Sequence, residues 1–275
     1  MKILKAKSAG FCFGVKRAYE LAREAQGENV QTLGELIHNP EVLEELQTKG
    51  IKAVSAISEL EDGVVIIRAH GISNRKRSEL EKKNLAIVDA SCPFVKRIHS
   101  EVEKFTAAGI PVIIVGINNH PEMQAVVEDF PQAIVVNDVE DSRLQNFSQK
   151  KVALLSQTTE TEENFQAVAA KLRDFSAEVE IVKTICNATT ERQNAAVELA
   201  REVEVMIVIG GKNSNNTRKL FQLVSEITRS YWIENSTELK TEWFAGVEKV
   251  GITAGASTPE AAIEKVVKSL EGLSY

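Results

Sequence analysis

The chain holds three cysteines, Cys12, Cys92 and Cys186, and each follows a short apolar run and precedes an amphipathic stretch. The first pattern is that of a strand and the second that of a helix, so each thiol sits at a strand-to-helix turn. Two of the turns share letters, "CFGVKR" and "CPFVKR", and the third reads "CNATTER". A thiolate at a helix N-terminus is stabilised by the unpaired N–H groups there and is a ready metal ligand. Three equivalent thiols suit a soft metal or an iron–sulfur cluster. Ferredoxin-type cubanes mostly take four cysteines. With three, one iron lacks a protein thiolate and is open to act as a Lewis acid. Buried, inert cysteines are the ordinary alternative. Their repeat-equivalent placement, with no other cysteine in the chain, argues against it.

Six polar loops follow other apolar runs. They carry His38, His70, His120, Thr158 with Thr159, Ser214 with Asn216, and Ser257. All are short hydrogen-bonding side chains at or just before a helix start, which is how a protein collects phosphate oxygens without a basic patch. Ser, Thr and Asn are also favoured helix caps. Histidine is not, and three of the four histidines fall in these loops. The fourth, His99, lies on the helix after Cys92 and reads as structural. Glu122, two residues past His120, matches the helix dipole and is also placed to be a proton source.

The elements that position these groups repeat three times. Each repeat reads strand–Cys–helix, strand–polar loop–helix, short strand, strand–polar loop–helix. The repeats divide the chain at 1–84, 85–178 and 179–275. Strands alternating with helices imply parallel sheets covered by helices, with ligands beyond the carboxyl ends of the strands. The fold class expected is α/β, with three similar parallel-sheet lobes.

Composition narrows the setting. The 275 residues carry a net charge of −6, which argues against a nucleic-acid or anionic-membrane surface. No apolar run approaches the roughly 18 residues of a spanning helix. In "MKILKAKSAGFC", Lys5 and Lys7 fall where a signal peptide needs its apolar core. A cytoplasmic, reducing setting is expected, where three cysteines are not a disulfide framework. Neither G-x-G-x-x-G nor G-x-x-x-x-G-K-[ST] occurs. No flavin or nicotinamide signature is present, so a redox reaction would draw electrons from another protein.

The motifs "AGFCFGVKRA", "GELIHNPEV", "RAHGI", "DASCPFV", "HPE", "SQTT", "TICNATTERQ", "GGKNSNNTRKL" and "TAGAS" run in order from Ala9 to Ser257. Together they resemble the 4-hydroxy-3-methylbut-2-enyl diphosphate reductases of the non-mevalonate isoprenoid pathway. The resemblance implies three lobes with pseudo-threefold symmetry around a central [4Fe-4S] cluster held by Cys12, Cys92 and Cys186. It implies an allylic diphosphate substrate bound by His38, His70, His120, Ser214, Asn216 and Ser257. Asn215, where a serine is expected, is a further candidate contact. Glu122, Thr158 and His120 are the implied catalytic residues, with Glu122 and Thr158 handling the allylic hydroxyl and its protons. An external donor such as ferredoxin or flavodoxin would supply two electrons. The rival readings are a non-catalytic iron–sulfur sensor or scaffold, and a zinc site of three cysteines and one histidine.

Overall fold

Small polar residues and prolines start the helices where periodicity expects them. In the computed structural model, which describes residues 1–273, the chain opens with β1 (Lys2–Lys5), α1 (Phe13–Glu24), β2 (Val30–Leu33), α2 (Pro40–Thr48), β3 (Lys52–Val54), β4 (Gly63–Ile67) and α3 (Asn74–Glu81). It continues with β5 (Leu85–Asp89), α4 (Pro93–Ala107), β6 (Val112–Val115), α5 (Pro121–Asp129), β7 (Ile134–Val136), β8 (Lys151–Ser156) and α6 (Glu162–Arg173). The last stretch is β9 (Glu178–Ile181), α7 (Asn187–Ala200), β10 (Val205–Ile209), α8 (Asn215–Ser225), β11 (Arg229–Ile233), β12 (Lys249–Ala254) and α9 (Glu260–Gly272). Pro40, Pro93 and Pro121 each open a helix, where the missing N–H is no loss. Ser73, Thr161 and Ser214 cap α3, α6 and α8 through their hydroxyls.

The strands form three four-stranded, all-parallel sheets in one topology: β3-β2-β4-β5, β7-β6-β8-β9 and β11-β10-β12-β1. Three similar α/β lobes are therefore present. Each sheet takes its fourth strand from the start of a repeat: β5 and β9 join the sheets that precede them, and β1 closes the sheet of β10–β12. Sequence repeat and sheet are thus offset by one strand.

Alternate strand residues feed opposite faces. In the second sheet, Ile113, Val115, Val152 and Leu154 pack with Phe165, Val168 and Leu172 of α6. Their neighbours Val112, Ile114, Ala153 and Leu155 pack with Ile98, Val102 and Phe105 of α4 and Met123 of α5. Burying both faces explains why these strands read as continuous apolar runs. The third sheet repeats the arrangement, with Ile207 and Ile252 under α9 and Met206 and Val208 under α7 and α8. No helix among the described residues is long and apolar enough to cross a membrane.

The chain divides into two compact units. The first comprises Met1–Lys16, Ile37–Glu45 and Asn187–Tyr275; the second comprises Arg17–Leu36 and Leu46–Cys186. The strand β10 begins at Val205, and Val203 before it packs beside Leu199 in the core. A 3-10 turn, Ser142–Phe147, buries Leu144 and Phe147 against the second sheet.

Candidate active site

In the second unit, β4, β6 and β8 end in the loops that carry His70, His120 and Thr158. His120 is the N-cap of α5, an unusual cap residue: its Nδ1 accepts the Glu122 backbone N–H at 3.2 Å. With Nδ1 accepting, a neutral His120 ring carries its proton on Nε2. The His70 ring meets the His120 ring edge-on, with centroids 5.4 Å apart.

Glu122 is 2% exposed. Its Oε1 accepts the Thr158 backbone N–H at 2.8 Å and its Oε2 accepts the Thr158 hydroxyl at 2.7 Å. Burial pushes its carboxyl up to about 7, against the opposing pull of the two Thr158 hydrogen bonds. The Thr158 carbonyl accepts the Cys186 N–H at 3.0 Å. One residue therefore joins a buried acid to a candidate metal ligand.

In the first unit, the loop after β12 and the segment carrying His38 meet: Ser257 donates its hydroxyl to the His38 carbonyl at 2.8 Å. Ser214 caps α8 by accepting the Thr217 N–H at 3.3 Å, and Asn215 and Asn216 fill the first turn, 6% and 8% exposed. The Asn216 Nδ2 is buried with no hydrogen-bond partner among the described residues, a free donor at a helix N-terminus. Gly255 is required here. A Cβ on it would lie 2.1 Å from the Thr217 Oγ1, so only glycine lets the loop after β12 pass α8.

All three cysteines lie at strand-to-helix turns and none is in a disulfide. The Cys12 Sγ accepts the Val15 N–H at 3.5 Å, the orientation that stabilises a thiolate. Its turn is fixed by Gly10 and Cys12 N–H bonds to the carbonyls of Ala254 and Ala256. Cys92 is the N-cap of α4, with its N–H on the Ala69 carbonyl at 3.0 Å. Each thiol has the chemistry of a soft-metal ligand: none is spent in a disulfide, and each stands at a helix start.

Three supporting groups went unread in the sequence. Asp89 anchors the Cys92 turn, bonded by Arg77 at 2.7 Å and Lys96 at 2.6 Å. Burial works against its charge, yet Lys96, Ser91 and Arg77 together hold its carboxyl well below the usual carboxylate range. Arg192, 3% exposed, donates to the Gly10 carbonyl at 2.6 Å and so braces the Cys12 turn. Gln157 is fully buried beside Thr158. Each lies inside a motif already singled out ("DASC", "CNATTERQ", "SQTT"), and proximity to Cys or Thr158 was the available signal. His99 is structural as expected, with its Nδ1 3.5 Å from the Asp129 carboxylate.

Comparison with known proteins agrees over the whole length. The sequence profile described as LytB protein matches residues 3–271. A 4-hydroxy-3-methylbut-2-enyl diphosphate reductase of Campylobacter hominis is 47% identical over 274 residues, 98% of each chain. Its counterpart in Geotalea uraniireducens is 43% identical over 277 residues, covering 100% of this chain and 98% of that one. Among solved structures, an (E)-4-hydroxy-3-methyl-but-2-enyl diphosphate reductase, described as the terminal enzyme of the non-mevalonate pathway, is 43% identical with a TM-score of 0.71 over 99% of this chain and 100% of that one. The Plasmodium falciparum reductase is 27% identical with a TM-score of 0.91, over 97% of this chain and 87% of that one. With strand order, thiols, buried acid and relatives in agreement, the chain belongs to the LytB protein family.

Proposed function

We propose that the protein reduces (E)-4-hydroxy-3-methylbut-2-enyl diphosphate, with two electrons and two protons, to isopentenyl and dimethylallyl diphosphates plus water. Cys12, Cys92 and Cys186, one from each sequence repeat (1–84, 85–178, 179–275), would hold a [4Fe-4S] cluster. When bound, that cluster supplies the electrons and an iron without a cysteine ligand as Lewis acid. The observation that carries the reading is the Glu122–Thr158 pair. A carboxyl held near neutrality by burial is protonated for part of the population at working pH, as a general acid must be.

The residues divide the work. Protonated Glu122 turns the hydrogen bond round: its acid proton points at the Thr158 Oγ1, which then donates onward to the allylic hydroxyl. Water leaves as that proton arrives, and a second proton follows the same route to the allylic carbon. His38, His70 and His120 offer ring N–H groups to the diphosphate, and Ser214, Asn215 and Asn216 offer the first turn of α8. Ser257 joins them by turning its hydroxyl from the His38 carbonyl to a phosphate oxygen. Short donors at helix starts are how these loops would hold the anion without a basic patch. Electrons come from an external protein such as a ferredoxin or flavodoxin. A reducing cytoplasm keeps the three thiols free.

A sensor or scaffold would need the thiols but neither the buried acid nor the anion-binding loops. The deciding assay is anaerobic: cluster-loaded protein, a reduced viologen and the diphosphate substrate, with products separated and counted. Both product diphosphates are expected. Substrate binding with no product from fully loaded protein would overturn the reading.

A further inference from the structure

Glu122 and Thr158 lie on different loops of the second sheet, one after β6 and one after β8, and their two hydrogen bonds demand a fixed separation. Gln157 sets it. Its side chain is fully buried, and both ends of its carboxamide are used. The Oε1 accepts the Ile117 backbone N–H at 3.0 Å, in the loop after β6. The Nε2 donates to the Thr159 Oγ1 at 2.9 Å, in the loop after β8. The Ile117 carbonyl in turn accepts the His120 N–H at 2.9 Å, closing the turn that presents His120 and starts α5. Gly116 makes room for the carboxamide. A Cβ there would stand 2.8 Å from the Gln157 Cβ and 2.9 Å from its Oε1.

We infer that Gln157 is a positioning residue for proton delivery: its carboxamide braces the loop of His120 and Glu122 against the loop of Thr158 and Thr159. This rests on the proposed reductase reading of the site. Gln157 does not touch substrate. It acts by keeping the Thr158 hydroxyl within hydrogen-bond reach of Glu122, a contact that misplacement by about 1 Å weakens severely. An amide suits the task because it donates at one end and accepts at the other without burying a charge. A methionine of similar length fills the space and leaves the Ile117 N–H and Thr159 hydroxyl unbraced.

The test uses cluster-loaded holoenzyme, with rates expressed per intact cluster so that loss of folded protein does not count. For Gln157→Met we expect kcat to fall roughly 10- to 100-fold, KM for the diphosphate to stay within about twofold, and the solvent deuterium isotope effect on kcat to rise. Thr159→Val removes only the donor's partner and should move the same quantities in the same direction by less. It also decides the matter if Gln157→Met yields no holoenzyme. A brace of purely structural value would leave the isotope effect unchanged. Glu122→Gln separates the two levels. If it turns over at the wild-type rate, the reductase reading of the site fails. If it is inactive while Gln157→Met and Thr159→Val keep wild-type kcat and isotope effect, the brace alone is wrong.

Discussion

The two units of the chain hold the polar groups of their loops in different ways. The second unit holds Glu122, 2% exposed and doubly bonded to Thr158, whose carbonyl accepts the Cys186 N–H. The first holds Asn216 with a buried, unpaired Nδ2 and Ser257 with its hydroxyl on the His38 carbonyl. The Glu122–Thr158 pair is locked together, whereas the Asn216 Nδ2 is held in reserve. That contrast fits their tasks. A proton carrier needs a fixed route and a tuned acid, whereas an anion site needs N–H and O–H groups that the ligand itself completes. Both units contribute cysteines, Cys12 from the first and Cys92 and Cys186 from the second.

The largest effect should come from the three cysteines. Serine at Cys12, Cys92 or Cys186 is expected to remove or cripple the cluster, and reductase activity with it, when iron content and turnover are measured anaerobically. Normal iron and full activity in Cys12→Ser would mean that the first unit contributes no ligand.

Next comes the acid of the second unit. Glu122→Gln keeps the shape and the Thr158 contacts but has no proton to give. Steady-state kinetics should show kcat down by roughly 10²–10⁴ with substrate affinity retained. A near wild-type rate would return Glu122 to a helix-dipole role.

Variants of the first unit should show the opposite split. Asn216→Ala combined with Ser257→Ala removes two phosphate donors, and KM should rise by about 10- to 100-fold with kcat largely kept. If kcat falls instead while inorganic diphosphate still competes as well as before, the division between the units is wrong.

A smaller and more graded effect is pH. Glu122 is raised to about 7, so its acid form persists far above the ordinary carboxylate range. As a general acid it is fully competent below that value, and kcat should fall as pH rises through about 7, ultimately tenfold per unit. Work as a general base would give the reverse slope. The limb should be absent from the residual activity of Glu122→Gln.

Much of this was legible beforehand, and for identifiable reasons. The three-lobe α/β fold shows in apolar runs such as Val205–Ile209, because a parallel strand buried on both faces has no polar alternation to blur it. The Cys92 and His120 turns show because Pro93 and Pro121 mark helix starts one residue after them. The offset between repeat and sheet does not show, since pairing β1 with β12 is a contact across the length of the chain that no local pattern encodes. Nor does the bracing by Arg192, which reaches Gly10 from far along the sequence. Glu122 could be placed near His120, but not its acidity, which follows from complete burial and from Thr158 on another strand's loop.

The central claim of the proposed function is that Cys12, Cys92 and Cys186 hold one redox cluster with an iron left open. The most direct measurement is iron, sulfide and zinc content of the anaerobically purified protein, together with its visible absorption. About four irons and four sulfides per chain, with a charge-transfer band that bleaches in air, is the predicted result. A colourless protein carrying one zinc and no sulfide would contradict it.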